Sequence, residues 1–186
     1  MRTLHVLLPL LSATILLSCG AQKESISSAE MAKLEEMVNS KSFHLDARWA
    51  NPLATRSMNA IATSGLLPPG SSPNRIDIVG TASYLEMRND SVFAVLPYYG
   101  ERQFGSVYNA QETGVKFEGV PEDFEMTFNE KKQHFEFAFD VVNEHGEGFN
   151  INGTLFPNLT TRFYVNSNER LTIGYSGNVE AVQESL

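Results

Sequence analysis

The sequence is poor in cysteine and in positive charge. Cys19 is the only cysteine among 186 residues, so an intramolecular disulfide is excluded. Lysine and arginine number 14 against 22 acidic residues, which gives a formal net charge of −8. An acidic chain is repelled by nucleic-acid phosphates and by anionic lipid headgroups. We therefore expect no nucleic-acid partner, and we expect membrane contact to come from a lipid anchor.

Recognisable catalytic and metal-binding patterns are also missing. His44, His134 and His145 do not have the spacing of a metal site, and His134 and His145 are expected to be solvated turn residues. The run 174–177, Gly-Tyr-Ser-Gly, lacks the spacing of a nucleophile elbow, and 146–148 lacks the third glycine of a dinucleotide loop. We therefore predict no catalytic residue, no metal site and no cofactor.

One cluster of acidic residues could form a catalytic or metal-binding site. Around Pro121 lie Glu118, Glu122, Asp123 and Glu125. Paired carboxylates can serve glycoside hydrolysis or bind calcium, but no calcium-loop pattern surrounds them. The interpretation we favour is a solvated acidic turn.

The N-terminal apolar run is too short to be a membrane anchor. It covers about 14 residues, whereas a spanning helix needs about 20. The run ends in Leu16-Leu17-Ser18-Cys19-Gly20, which resembles the lipobox of bacterial lipoproteins. We predict that 1–18 is a signal peptide, that Cys19 is lipidated (palmitate included), and that 19–27 is a flexible tether.

This N-terminus predicts a cell-envelope lipoprotein attached to a Gram-negative outer membrane. The periplasmic face and the cell surface both remain open as its location. The remaining residues, 28–186, are predicted to form one domain.

The hydrophobic pattern predicts one helix followed by strands. Met31, Leu34 and Val38 share a helical face within 28–41. From residue 44 the period falls to two, which is typical of strands with one face in a core and one in water. A long loop is predicted over 51–75, with a short strand near Met58–Ala62.

Alternating aromatic residues mark the predicted core. The pattern favours a mainly β fold: an antiparallel meander, sandwich or barrel-like, of about eight strands with one N-terminal helix. Asn89-Asp90 is predicted to form a two-residue turn between strands 84–88 and 91–96. The side chains predicted to point inward are Phe124, Met126, Phe135, Phe137, Phe139, Phe149, Ile151, Phe163, Leu171 and Ile173.

The stretch Leu96-Pro97-Tyr98-Tyr99-Gly100 is the most distinctive in the chain. Pro97 must end a strand or lie at an edge, which places two tyrosines near a rim. Tyr98 and Tyr99, with Arg102 and Gln103, are the candidate binding residues. The alternative is that both rings close the core as corner residues.

Several residues along the chain resemble a known family. They are the 96–100 stretch, preceded by Tyr84 and Asp90, and the C-terminal pattern Asn168, Arg170, Ile173, Tyr175 and Gly177. They resemble uncharacterised lipoproteins of Bacteroidetes-type anaerobes, catalogued as a domain of unknown function. The resemblance covers roughly residues 30–180 and implies a β-rich domain behind a lipid anchor. It supplies no catalytic residue.

Two functional hypotheses follow. The favoured one is a non-catalytic binding or interaction module in the envelope, with a membrane contact at Cys19 and an envelope protein or a glycan as ligand. The alternative is a lipid-anchored hydrolase whose active site has no recognisable motif.

Overall fold

A computed structural model of the chain describes residues 28–104 and 114–182. The predicted signal peptide, Cys19 and the predicted tether lie outside these residues. The helices are α1 (Ser28–Asn39) and α2 (Arg56–Thr63). The strands are β1 (Ser42–Pro52), β2 (Ile76–Asp77), β3 (Tyr84–Arg88), β4 (Ser91–Leu96), β5 (Val115–Gly119), β6 (Glu122–Asn129), β7 (His134–Val142), β8 (Gly148–Leu155), β9 (Thr160–Ser167) and β10 (Ile173–Glu180). Neither helix in this part of the chain is long and apolar enough to cross a membrane.

The strands form one antiparallel sheet in the order β5-β4-β3-β1-β10-β9-β8-β7-β6, with β2 paired to β1. The sheet curls into a half-barrel. Its curvature brings Phe117 of β5 to 5.5 Å from Phe149 of β8 and 6.4 Å from Phe139 of β7, between ring centroids. The mainly β, antiparallel fold predicted from the sequence is confirmed, with ten strands in the described residues where about eight were expected.

Hairpins set the register of neighbouring strands. The Asn89-Asp90 turn joins β3 to β4, with Arg88 paired to Ser91 and Asn89 at φ 54°. Asparagine tolerates this left-handed backbone, which two-residue hairpins require. The predicted turn is therefore confirmed, and it fixes which side chains of both strands face inward.

The core fills the concave side of the sheet. Helix α1 contributes Leu34, Met37 and Val38 to it. Of the side chains predicted to point inward, the fully buried ones are Phe137, Phe139, Phe149, Ile151, Phe163 and Ile173. Phe124 and Met126 are only partly buried against this cluster because they lie on the edge strand β6, and Phe135 of β7 is also partly buried against it. Leu171 is half-buried in the loop before β10 rather than within a strand.

Two local predictions are wrong. The segment 58–62 is not a strand but part of α2, which begins where the Thr55 hydroxyl accepts a hydrogen bond from the Met58 amide at 3.2 Å. This cap satisfies an otherwise unpaired helix-terminal donor. His134 is not solvated: it is 8% exposed, bonds Glu136 at 2.9 Å and meets the Phe156 ring edge-on.

Candidate functional site

The convex side of the sheet carries polar side chains in regular rows. We call this side, where it is formed by β1, β10, β9, β8, β7 and β6, the outer face. Strand pairing places Tyr164 of β9 between Asn152 of β8 and Gly174 of β10, and Gly174 pairs in turn with Asn51 of β1. Because side chains alternate along a strand, all of these positions face away from the core.

Tyr164 is the large aromatic residue at the centre of the outer face. Its residue surface is 43% exposed. A Cβ atom added to Gly174 would lie 3.1 Å from Tyr164 Cε1, so the absence of a side chain at Gly174 lets the ring lie close over the neighbouring strand. The ring therefore keeps a solvated surface while its position is fixed by packing.

A recess lies on one side of Tyr164. It has a volume of about 410 Å³ and is lined by Asn51, Arg75, Arg162, Tyr164, Gly174 and Ser176. We call it the arginine recess. Asn51 Nδ2 donates to Ser176 Oγ at 3.4 Å across its floor. Volumes of this size accommodate small ligands or one unit of a larger one.

The two arginines of this recess are held differently. The Arg75 guanidinium lies 4.0 Å from the centroid of the Trp49 ring, a cation–π contact that orients it. Arg162 is exposed on β9. Within residues 28–104 and 114–182, neither guanidinium forms an ion pair with a carboxylate. The recess therefore carries positive charge that these residues do not neutralise.

A second recess lies on the other side of Tyr164. Its volume is about 330 Å³, and its lining includes Glu125, Glu136, Asn152, Thr154 and Tyr164. We call it the glutamate recess. Glu136 accepts hydrogen bonds from His134 at 2.9 Å and from Asn129 at 3.1 Å. The His134 bond, followed by the Asn129 bond, lowers the pKa of Glu136, so this carboxylate remains ionised further into the acidic range than an ordinary glutamate.

Amide side chains extend the polar surface along β8 and β9. Asn150 donates to Asp140 at 2.8 Å and accepts from Asn166 Nδ2 at 3.3 Å. Asn152 is placed one row further along β8, with its Nδ2 3.5 Å from Asn150 Oδ1. Amides carry donors and acceptors together, so this row can bind hydroxyl and amide groups of a ligand.

The residues singled out from the sequence lie elsewhere, where 97–104 runs beside 168–171. The Tyr98 hydroxyl is 3.0 Å from both the Glu101 and the Leu171 carbonyl oxygens. Tyr99 is half-buried against the core, and burial raises the pKa of both phenols. Arg102 contacts Glu169 and lies 3.5 Å from Glu147, while the backbone N–H of Gln103 donates to the Glu169 carbonyl oxygen at 2.7 Å.

The segment containing Tyr98 is thus held by many internal contacts. Beneath it, Arg170 pairs with Glu147, donates to the Gly114 carbonyl at 2.8 Å and lies 5.2 Å from the Tyr98 ring. No local pattern predicts this pairing, because its two members are 23 residues apart. Tyr98 has the contacts of a corner residue, whereas Tyr99 forms no hydrogen bond with the described residues.

A histidine–carboxylate pair lies on the convex side of β1 and β3. His44 Nδ1 is 2.7 Å from Glu86 Oε2, and the His44 ring stacks on Tyr84 at 5.2 Å. Glu86 is 5% exposed and also contacts Arg88. A carboxylate in this position orients an imidazole for proton transfer.

Of the acidic residues singled out from the sequence, Glu125 lines the glutamate recess. The acidic residues Glu118, Glu122, Asp123 and Glu125 are exposed in and around the β5–β6 turn. In the part of the chain that the structure describes, no three histidine, cysteine or acidic side chains form a group suited to a metal ion.

Comparisons with known proteins give a family and a fold. The profile of a family described as a domain of unknown function, DUF4251, matches residues 26–179. The crystal structure of a DUF4251 family protein from Bacteroides eggerthii is similar with a TM-score of 0.54 and 13% sequence identity, over 83% of this chain and 89% of that one. At this identity the likeness concerns the fold alone. No curated protein matches the sequence.

Proposed function

The chain belongs to the DUF4251 family of domains of unknown function, and we propose that it is a non-catalytic binding module tethered to the cell envelope through a lipid on Cys19. The family description names no activity, so the argument rests on the residues of this chain. Its ligand-binding surface is the outer face around Tyr164.

One observation carries this proposal: two recesses flank a half-exposed aromatic ring on a rigid sheet. An aromatic side chain fixed by packing offers apolar contact area at low entropic cost, and the polar groups around it supply direction. Extended strands hold these groups at fixed spacings. A preformed surface that combines polar and aromatic groups is typical of ligand-binding sites.

The predicted anchor suits such a module. The lipobox-like residues 16–20 are followed by a polar stretch up to 27, just before α1 begins at Ser28. If extended, the nine residues 19–27 reach about 30 Å from the lipid-bearing cysteine. The domain can therefore turn its outer face toward ligands near the membrane without being buried in it.

The test measures retention of envelope components on the immobilised protein. We expect the wild type to retain a saccharide or peptide that is recovered chemically unchanged. Tyr164→Ala should weaken retention about ten-fold while the protein remains folded, as a cooperative thermal melt shows. Tyr84→Ala, which removes another outward-facing tyrosine three strands away, should retain the ligand normally. Equal retention by both variants, or recovery of cleaved ligand, contradicts the proposal.

A hydrolase is the second candidate, favoured by the His44–Glu86 contact at 2.7 Å. In that case His44 would be the general base that activates water or a hydroxyl group. The measurement is turnover of ester, amide and glycoside substrates by the wild type and by His44→Gln. Turnover that disappears in His44→Gln supports the hydrolase, and absence of turnover in the wild type rejects it.

A further inference from the structure

We infer that the outer face binds an acidic oligosaccharide in which a carboxylate-bearing sugar ring lies next to an uncharged one. This inference rests on the proposed binding function and specifies its ligand. The acidic sugar ring occupies the arginine recess and the neutral ring occupies the glutamate recess. The glycosidic linkage between them crosses Tyr164.

The positive charge of the arginine recess indicates that the acidic ring of the ligand binds there. Some basic side chains of the described residues are neutralised by a carboxylate, as Lys41 is by Asp90, Arg88 by Glu86, and Arg102 by Glu169. Arg75 and Arg162 line one recess, yet neither has an acidic partner among the described residues. Two unneutralised guanidinium groups in one concavity favour an anionic ligand.

The shape of the recess favours a carboxylate on a ring. Arg75 is oriented by its stacking on Trp49 at 4.0 Å, so its planar donor fork keeps a fixed direction. Guanidinium groups bind carboxylates through two parallel hydrogen bonds. Asn51 and Ser176 on the floor add neutral donors and acceptors that suit hydroxyl groups beside the carboxylate.

The glutamate recess requires the adjoining unit to be uncharged. Glu125 and Glu136 line it, and Glu136 is held in place by hydrogen bonds from His134 at 2.9 Å and Asn129 at 3.1 Å. Carboxylates repel a second anionic unit but accept hydrogen bonds from hydroxyl groups, and Asn152 and Thr154 beside them offer both donors and acceptors. A phosphate chain or a uniformly acidic polymer is therefore disfavoured.

The position of Tyr164 is the reason for proposing a saccharide as the ligand. Its ring is the shared wall of both recesses, and its exposed surface lies where the two units of a ligand must join. The C–H groups on one side of a sugar ring pack against an aromatic surface, while the hydroxyl groups at the ring edge remain free for Asn and Arg side chains. A ligand with alternating apolar faces and polar edges fits this arrangement.

Titration calorimetry on the full mature chain in detergent tests the inference with matched ligands. The first probe is an oligosaccharide that alternates a uronic acid with an N-acetylhexosamine. The second is the same oligosaccharide with its carboxyl groups reduced to alcohols, and the third contains uronic acid only. We expect the first to bind about ten- to a hundred-fold more tightly than the other two, since charge-assisted hydrogen bonds are lost in the second and repulsion by the glutamates acts on the third.

Two single-arginine variants test whether the acidic ring binds in the arginine recess. Arg162→Gln should bind the alternating probe about ten-fold or more weakly and should no longer distinguish it from the reduced probe. Arg56→Gln, at an exposed position on α2, is the matched control and should bind like the wild type. Both substitutions lie on the surface, so melting temperatures should be unchanged.

The remaining outcomes overturn the inference in distinguishable ways. Equal affinity for the alternating and reduced probes, or normal binding by Arg162→Gln, refutes the acidic ligand and leaves the binding module standing. Tighter binding of the all-uronic probe refutes the alternating saccharide. Failure to bind any of the three probes also refutes the acidic oligosaccharide. The proposed binding function has a separate test: it fails only if Tyr164→Ala and the wild type retain envelope components equally, or if the retained ligand is cleaved.

Discussion

Glu147 and Arg170 form a two-point ion pair, with Nε to Oε1 at 2.7 Å and Nη2 to Oε2 at 2.8 Å. Their side chains are 3% and 6% exposed. Ser167 Oγ adds a hydrogen bond to Glu147 at 2.5 Å, and Arg170 reaches the Gly114 carbonyl. One buried pair thus joins the turn before β8, the end of β9, the loop before β10 and the start of β5.

Removing one member of this pair should be costly. Glu147→Gln leaves a buried guanidinium without its countercharge, and we expect it to lower the free energy of unfolding by about 3–5 kcal/mol. Asp90→Asn is the control, because the Lys41–Asp90 pair is exposed (51% and 81%) and should contribute at most about 1 kcal/mol. Urea denaturation measures both. Equal, small losses in the two variants would show that the buried pair is dispensable.

The two tyrosines of the 96–100 stretch should behave differently. Tyr98→Phe removes the hydroxyl that lies 3.0 Å from two backbone carbonyls, and it should cost about 0.5–1.5 kcal/mol. Tyr99→Phe removes a hydroxyl that forms no hydrogen bond with the described residues, so stability should change by less than about 0.5 kcal/mol. Thermal melts test the difference. A larger loss in Tyr99→Phe would contradict these assignments.

Local patterns were sufficient to predict most of the sheet. The alternation of Phe135, Phe137 and Phe139 with polar residues indicated a half-buried strand, and Asn89-Asp90 indicated a hairpin. Both patterns depend on neighbours in the chain: side chains alternate in every strand, and the turn residues set the backbone twist. The prediction of α1 succeeded for the same reason, since one helical face is apolar.

The candidate site could not be predicted, because it depends on contacts across strands. Tyr164 is positioned by the missing side chain of Gly174, and Arg75 by the Trp49 ring, which lies 26 residues earlier in the sequence. His134 was expected to be solvated because it follows a turn, yet its partner Glu136 and the Phe156 ring cover it. Helix α2 was missed since its face contributes only Met58 to the core.

Truncating one core aromatic should destabilise the domain strongly. Phe137 is 3% exposed and packs against Phe43 and Phe139, so Phe137→Ala should cost about 3–5 kcal/mol through lost burial and a residual cavity. Phe128→Ala, at 38% exposure on the edge strand β6, should cost clearly less, about 1 kcal/mol. If melts of Phe137→Ala match the wild type, the inward assignment of β7 is wrong.

Alkaline pH should destabilise the fold. Burial raises the pKa values of Tyr175, Tyr98 and Tyr99 above the ordinary phenol value. Above about pH 10 the unfolded chain releases these protons while the folded chain keeps them, so the free energy of unfolding must fall as pH rises. Denaturation curves from about pH 9 to pH 12 measure the slope.

Tyr175→Phe isolates the largest contributor to that slope. The substitution removes the hydrogen bond to the Pro97 carbonyl at 2.8 Å, so the variant should be less stable at neutral pH. Its stability should nevertheless decline less steeply above about pH 10 than that of the wild type. A slope equal to that of the wild type would mean that Tyr175 does not retain its proton in the folded state.

The remaining prediction concerns the lipid anchor, which depends on the sulfur atom of Cys19. Cys19 has the only thiol in the chain, and a lipoprotein carries its diacylglycerol on that sulfur. Several acyl chains on one residue anchor durably, because each buried CH₂ contributes about 0.8 kcal/mol and one chain alone binds marginally. Cys19→Ala should therefore abolish incorporation of a fatty-acid analogue and release the protein from the membrane fraction. Ser18→Ala, which keeps a small residue before the cysteine, should be labelled like the wild type. Label that persists in Cys19→Ala would disprove lipidation at this residue.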